Sequence, residues 1–279
     1  MRPIRLLPRV HPSQCPTLLL SALAVLFSDP GLLRAAQSRP EADRPESPSA
    51  WSKIAAFFQP PAEFAGQLGT FPSPLRRADG SEVRTAADWP RRRAEILQEW
   101  RHLMGPWPPV LERPSLEVLS TTNRETLVQQ RVRVQIAPEQ TAEGWLLTPR
   151  GEGPFPAALV VYYEPETSVG LNPKQPLRDF ALELTRRGFV TLSLGTPGGN
   201  AWKPDLRTAQ CQPLSYHAYV AANGWQALAN LPSVDRARIG VAGHSYGGKW
   251  ALFAAAMWDQ FACVAVSDPG IVFDETRAN

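Results

Sequence analysis

Arg238-Ile239-Gly240-Val241-Ala242-Gly243-His244-Ser245-Tyr246-Gly247-Gly248-Lys249-Trp250 is the stretch that decides how this sequence is read. Arg238 to Ala242 is a short apolar run of the kind that forms a buried strand. Gly248 to Met257 (Gly-Lys-Trp-Ala-Leu-Phe-Ala-Ala-Ala-Met) reads as a helix. Between them Gly243-His244-Ser245-Tyr246-Gly247 is a G-x-S-x-G match set in a strand, a turn and a helix. A serine held in so sharp a turn sits on strained backbone, and the glycines two before and two after it relieve the crowding. The helix directs the positive end of its dipole toward an oxyanion formed at that serine. Ser245 is therefore the candidate nucleophile.

Outward from this turn, the chain alternates strands and helices. Downstream, Phe261 to Ser267 is an apolar run expected as a last strand. Upstream, a long helix is expected from Tyr216 to Leu231, a buried strand over 188–194 and a helix from Leu177 to Arg187. Pro156 to Tyr163 is a continuous apolar run, as expected of a strand covered on both faces. Before it come three strands, Leu116–Ser120, Leu127–Ile136 with alternating polarity, and Ala142–Pro149. A meander of strands followed by strand–helix alternation predicts an α/β fold: a mixed sheet, mostly parallel after its first strands, with helices on both faces. Residues 51–114 are an irregular and helical extension. Its helix is capped by Thr85 or Asp88, carries Pro90 in its first turn, and ends at Gly105.

The N-terminus has the pattern of an export signal. Arg2, Arg5 and Arg9 precede an apolar run from Pro16 to Phe27 that is too short to span a bilayer. Residues 1–36 are read as that signal and 37–50, polar and proline-rich, as a disordered linker. The expected location is secreted or periplasmic. A net charge of +3 over 279 residues gives no reason to expect nucleic acid as a partner. Cys211 and Cys263 remain after the signal, and are read as unpaired, one in a loop and one as a small buried strand residue. The absence of C-x-x-C spacing or a His cluster gives no ground for a metal or cofactor.

With these residues in hand, the chain resembles the α/β-hydrolase superfamily. The resemblance rests on Val234-Asp235-Arg236-Ala237-Arg238-Ile239 leading into Gly243-His244-Ser245-Tyr246-Gly247-Gly248, and it covers residues 115–279. Within the superfamily it is most similar to secreted dienelactone hydrolase-like and acetyl xylan esterase-like proteins. Lys249, four residues after the serine, is similar to the lysine of the glucuronoyl esterase motif, although His244 and Tyr246 stand where that motif has Cys and Arg. The resemblance implies a serine hydrolase acting on a small-molecule or carbohydrate ester, with Lys249 in contact with substrate.

It also implies an order of parts: nucleophile, then acid, then histidine, each after a later strand. Asp268, at the end of the last strand, is the acid candidate; an aspartate of the Asp268-Pro269-Gly270 turn is the competing reading. Asp274 and Glu275 are weaker candidates. The oxyanion donors implied are the backbone N–H of Tyr246 and one from the loop after the Pro156–Tyr163 strand, with Tyr163 or Glu164 supplying it. No base follows: His11, His102, His217 and His244 all precede Ser245. The expectation is a C-terminally truncated hydrolase domain, lacking the last strands and impaired as an enzyme. Two other readings stay open, a non-catalytic hydrolase-like protein that binds carbohydrate or a partner, and a serine peptidase of the same superfamily.

Overall fold

The computed structural model describes residues 52, 55–59, 61–66, 72–124 and 126–271. The expected export signal and linker, and Asp274 and Glu275, lie outside the described residues. The chain divides into two compact units, Met1–Phe71 and Pro72–Asn279. In the first, Ala55–Phe58 and Ala62–Phe64 each form a short 3-10 turn.

The second unit begins with α1 (Trp89–Met104), with Pro90 in its first turn as expected. Asp88 does not cap it in the expected way, since its backbone is already helical and its side chain makes no bond into α1. The carboxylate turns back instead, accepting the N–H groups of Arg84 (3.2 Å) and Thr85 (3.0 Å) and the Thr85 hydroxyl (2.9 Å). Thr85 opens a turn ahead of the helix and Asp88 closes it three residues on, as the acidic member of a capping box does.

Seven strands follow: β1 (Leu116–Asn123), β2 (Leu127–Ala137), β3 (Gln140–Pro149), β4 (Phe155–Val161), β5 (Val190–Leu194), β6 (Val234–His244) and β7 (Val264–Ser267). They form one sheet in the order β1-β2-β3-β5-β4-β6-β7. The first three are joined by short turns and pair antiparallel, as does β3 with β5. From β5 to β7 every pairing is parallel, because a helix intervenes between successive strands and returns the chain to the same edge. The expected mixed sheet is therefore the observed one.

The connecting helices are the single turn α2 (Pro165–Ser168), α3 (Phe180–Arg186), α4 (Pro213–Ala229) and α5 (Tyr246–Met257). Central β4 is covered on both faces. Ala157, Leu159 and Val161 belong to a large apolar cluster with Tyr219 and Trp225 of α4 and Trp250 and Ala251 of α5. Ala158 and Val160 point the other way, into a smaller cluster with Ala181 and Leu182 of α3. This alternation is the period-2 geometry of a strand. Helix α4 is buried around most of its circumference, which an amphipathic pattern does not require. Its extra cover is the segment after α1: Trp107 Nε1 donates to Ser215 Oγ (2.9 Å), and the N–H of Leu111 donates to Asn223 Oδ1 (2.9 Å).

Two expectations change at the ends of elements. Strand β6 is longer than its apolar run, because Asp235 accepts the Ala237 N–H (2.9 Å) and Arg238 Nε (2.6 Å), and the register with β4 shifts there. The Val234-Asp235-x-x-Arg238 lead is thus a structural turn set into the strand. Strand β7 is shorter than Phe261–Ser267 and mostly exposed, since among the described residues only β6 pairs with it. For the same reason Cys263, expected as a small buried strand residue, is exposed beside β7; loop Cys211 is buried, and both thiols are free as expected. Among the described residues no helix is long and apolar enough to cross a membrane.

Candidate active site

Ser245 stands between β6 and α5 with φ 55° and ψ −124°, a left-handed conformation that a residue with a Cβ rarely adopts. The surroundings impose it. The Ser245 N–H donates to the Ser267 carbonyl of β7 (2.9 Å), and the Ser245 carbonyl accepts the Lys249 N–H (3.2 Å), so strand and helix each hold one end of the peptide. The flanking glycines are required by close backbone approach. A Cβ on Gly243 would lie 2.0 Å from the Gly247 oxygen, and one on Gly247 would lie 2.1 Å from the Val161 oxygen. Tyr246 is the first residue of α5, where backbone N–H groups lack intrahelical acceptors and face the helix N-terminus.

Tyr163 reaches the serine by a route the sequence did not suggest. Its hydroxyl lies 3.3 Å from Ser245 Oγ, so the phenol rather than the backbone N–H is what the structure brings to the nucleophile. The phenol is held from both sides. Its own carbonyl accepts the Thr196 N–H and hydroxyl (3.1 Å each), tying the loop after β4 to the loop after β5. Its ring packs edge-on against Tyr162 (5.0 Å between centroids) and tilted against Tyr246 (5.9 Å). Burial, and to a lesser degree the neighbouring Tyr163, push the Tyr246 phenol up to about 12, so it stays neutral at any working pH. Beyond Tyr163, Glu164 accepts the Thr167 hydroxyl (2.5 Å) and Glu166 the indole N–H of Trp145 (3.4 Å), so both acids anchor their own loop.

Asp268 follows β7 directly, has φ 44°, and is exposed. The register pairs His244 with Ser267, which brings Asp268 alongside Ser245 at the carboxyl end of the sheet. Ligands of open α/β sheets bind at this end of the strands. The histidines are engaged elsewhere. His244 Nδ1 is 3.0 Å from the Ser267 hydroxyl, with its ring stacked on Tyr162 (6.4 Å) and tilted against Phe180 (5.9 Å). His102 lies near the end of α1, beside a cavity of about 550 Å³ walled by Trp107 and Trp258. That cavity is at the opposite end of α5 from Ser245, roughly 18 Å away by helix rise.

His217 is fully buried in α4, with its ring 5.4 Å from Tyr246 and 4.6 Å from Trp250. Its Nδ1 is 2.7 Å from the Pro213 carbonyl, while Nε2 is buried without a partner. Burial lowers its pKa to about 4, against a smaller opposing pull from the Pro213 carbonyl. Because the folded value lies below the ordinary value near 6.5, the unfolded chain binds more protons between these limits. Stability should therefore be full above pH 6.5 and fall by up to about 3 kcal/mol as pH drops toward 4. Urea titrations of the wild type and His217→Asn at several pH values test this. The difference in pH slope between the two should lie in that window, and equal slopes would contradict the assignment.

Around Lys249, structure adds what sequence missed. Trp202, in the loop between β5 and α4, packs edge-on against Tyr246 (5.0 Å between centroids), and the Lys249 ammonium lies 5.3 Å from its ring centre. Nothing in the spacing of Gly195-Thr196-Pro197-Gly198-Gly199-Asn200 announced this aromatic. Asn200 Oδ1 accepts the N–H groups of Trp202 and Lys203 (3.0 Å each), which turns the chain at Trp202.

Comparison with known proteins bears on the fold. The prolyl oligopeptidase family model matches residues 184–276, the part that runs from α3 through the elbow to β7. Among curated proteins, none matches the sequence. A glucuronoyl esterase from Solibacter usitatus superposes with a TM-score of 0.60 at 18% identity, covering 70% of this chain and 62% of that one. A glucuronoyl esterase from Teredinibacter turnerae T7901 gives 0.54 at 20% identity, over 70% of this chain and 55% of that one. A putative acetyl xylan esterase from Bacteroides fragilis gives 0.54 at 16% identity, over 81% and 62%. The chain thus spans about three-fifths of the length of these proteins, and at such identities the likeness shows the fold alone. The chain has an α/β-hydrolase-like fold.

Proposed function

We propose that this protein is an exported serine hydrolase that cleaves a carboxylic ester of a carbohydrate, with Ser245 as nucleophile. The observation that carries the reading is the strained Ser245, held between β6 and α5 with a phenol 3.3 Å from its Oγ. In this mechanism Ser245 Oγ attacks the ester carbonyl carbon, and its proton leaves to a base. The carbonyl oxygen becomes an oxyanion, which the Tyr246 N–H and the Tyr163 hydroxyl stabilise by donating to it. The alcohol departs with a proton, and water then clears the acyl-serine. Asp268 is the acid that would orient an imidazole base beside Ser245. Among the described residues neither His217 nor His244 makes a hydrogen bond to Ser245 Oγ, whose polar neighbour is the Tyr163 hydroxyl, so neither is assigned as the base. Export rests on the Arg-rich, apolar N-terminal segment alone.

Two alternatives have specific support. The prolyl oligopeptidase family match favours amide over ester cleavage, and the lack of a histidine hydrogen-bonded to Ser245 Oγ among the described residues favours a non-catalytic carbohydrate- or partner-binding role. A fluorophosphonate probe and a matched panel of ester and amide substrates separate the three. The ester reading expects slow labelling that maps to Ser245 and vanishes in Ser245→Ala, with esters turned over and amides not. Faster turnover of amides would favour the peptidase, and no labelling at Ser245 under any condition would remove the catalytic reading.

A further inference from the structure

The end of α5 remote from Ser245 borders a cavity that the proposed reaction does not use. Its volume is about 550 Å³, inside the range of roughly 300–1,000 Å³ that small-molecule sites occupy. Two indoles wall it, Trp107 from the segment after α1 and Trp258 from the end of α5. Arg101 and His102, in the last turn of α1, are the polar side chains of its lining, which contains no carboxylate. Arg101 is exposed and makes no ion pair among the described residues. A cation in the last turn complements the helix dipole, but that role requires no pair of indoles beside it.

The walls are set from behind, by contacts that need no ligand. Gly105 ends α1 with φ 82°, and a Cβ there would lie 2.5 Å from the Gln210 oxygen. Trp107 is pinned by its indole N–H on Ser215 Oγ (2.9 Å) and by its ring against Tyr219 (5.8 Å between centroids). The Trp258 backbone N–H donates to the Ala254 carbonyl (2.9 Å), and its ring packs edge-on against Trp225 (6.2 Å). Held in this way, neither ring is free to turn and fill the cavity. We propose that the cavity is a binding site for a small aromatic carboxylate. The aromatic ring packs against the indoles, and the carboxylate accepts hydrogen bonds from the Arg101 guanidinium. A neutral aromatic would leave the guanidinium unanswered, and an inorganic anion would leave the indoles unanswered. The site is separated from Ser245 by the length of α5, roughly 18 Å, and does not depend on the reading of the nucleophile.

The probes are 1-naphthoate and its neutral counterpart 1-naphthalenemethanol, titrated against the full chain by ligand-observed NMR. 1-Naphthoate should bind, and more tightly than the alcohol. Arg101→Gln should weaken 1-naphthoate about tenfold and leave the alcohol unchanged. Trp258→Leu should weaken both about fivefold. Arg101 is exposed, so its replacement does not threaten the fold, and it decides the matter alone if Trp258→Leu fails to fold. Because both positions lie at the far end of α5, these losses also locate the bound probe away from Ser245. No binding of 1-naphthoate, an alcohol that binds as tightly, or a 1-naphthoate affinity unchanged in Arg101→Gln would each overturn the proposal.

Discussion

Gly247→Ala is expected to destabilise the protein by about 4 kcal/mol, read as a lower urea midpoint at unchanged slope. The size follows from what the new methyl group meets. Its carbon would lie 2.1 Å from the Val161 oxygen and 3.2 Å from the Tyr162 Cα, both backbone atoms. Val161 ends β4, which is bonded to β5 on one side and β6 on the other, so neither strand can yield without breaking a ladder. A side-chain obstacle could rotate away; a central strand cannot. Retreat of α5 is the remaining route, and it would draw Ser245 away from the Tyr163 phenol. Labelling at Ser245 should therefore be lost even in the fraction that remains folded. A cost below about 1 kcal/mol would mean that the elbow has slack that the close contacts exclude.

Ester hydrolysis by the 279-residue chain is expected to be roughly 10⁴- to 10⁶-fold slower than by an enzyme with a complete triad, and to be accelerated by imidazole added to the buffer. A hydroxyl is a weak nucleophile until something takes its proton, and among the described residues neither histidine near the elbow is hydrogen-bonded to Ser245 Oγ. Imidazole from solution supplies the missing acceptor, provided that the oxyanion donors and Asp268 are in place. Initial rates of p-nitrophenyl acetate hydrolysis across imidazole concentrations, corrected with Ser245→Ala, measure the effect. A rate that is high without imidazole and collapses in His217→Asn would show that the buried histidine moves to act as the base. An acceleration equal in Ser245→Ala would assign it to imidazole alone.

Most of the fold was legible because the signals were local and repeated. Each strand and long helix carried its own period, and the short turns between β1 and β3 fixed their antiparallel pairing. The errors fell where tertiary context outweighed pattern. Asp88 looked like a helix cap, yet an N–H donor one turn upstream was available to it. Cys263 looked buried because β7 is apolar, but a strand is buried only by what lies beside it.

The candidate site divides in the same way. Gly243, Ser245 and Gly247 are consecutive in one motif, so sequence alone determined the elbow: the strain of the serine and the glycine spacing are covalently local facts. Asp268 followed from strand order, with its side chain left unassigned. Tyr163 and Trp202 come from separate loops, after β4 and β5, and were joined to the elbow only by the sheet order that sets those loops side by side. The phenol at Ser245 depended on a carbonyl bound by Thr196, and the indole beside Lys249 on an asparagine turn. Contacts between residues 33 to 82 positions apart leave no period in a sequence, so only the tertiary structure could decide them.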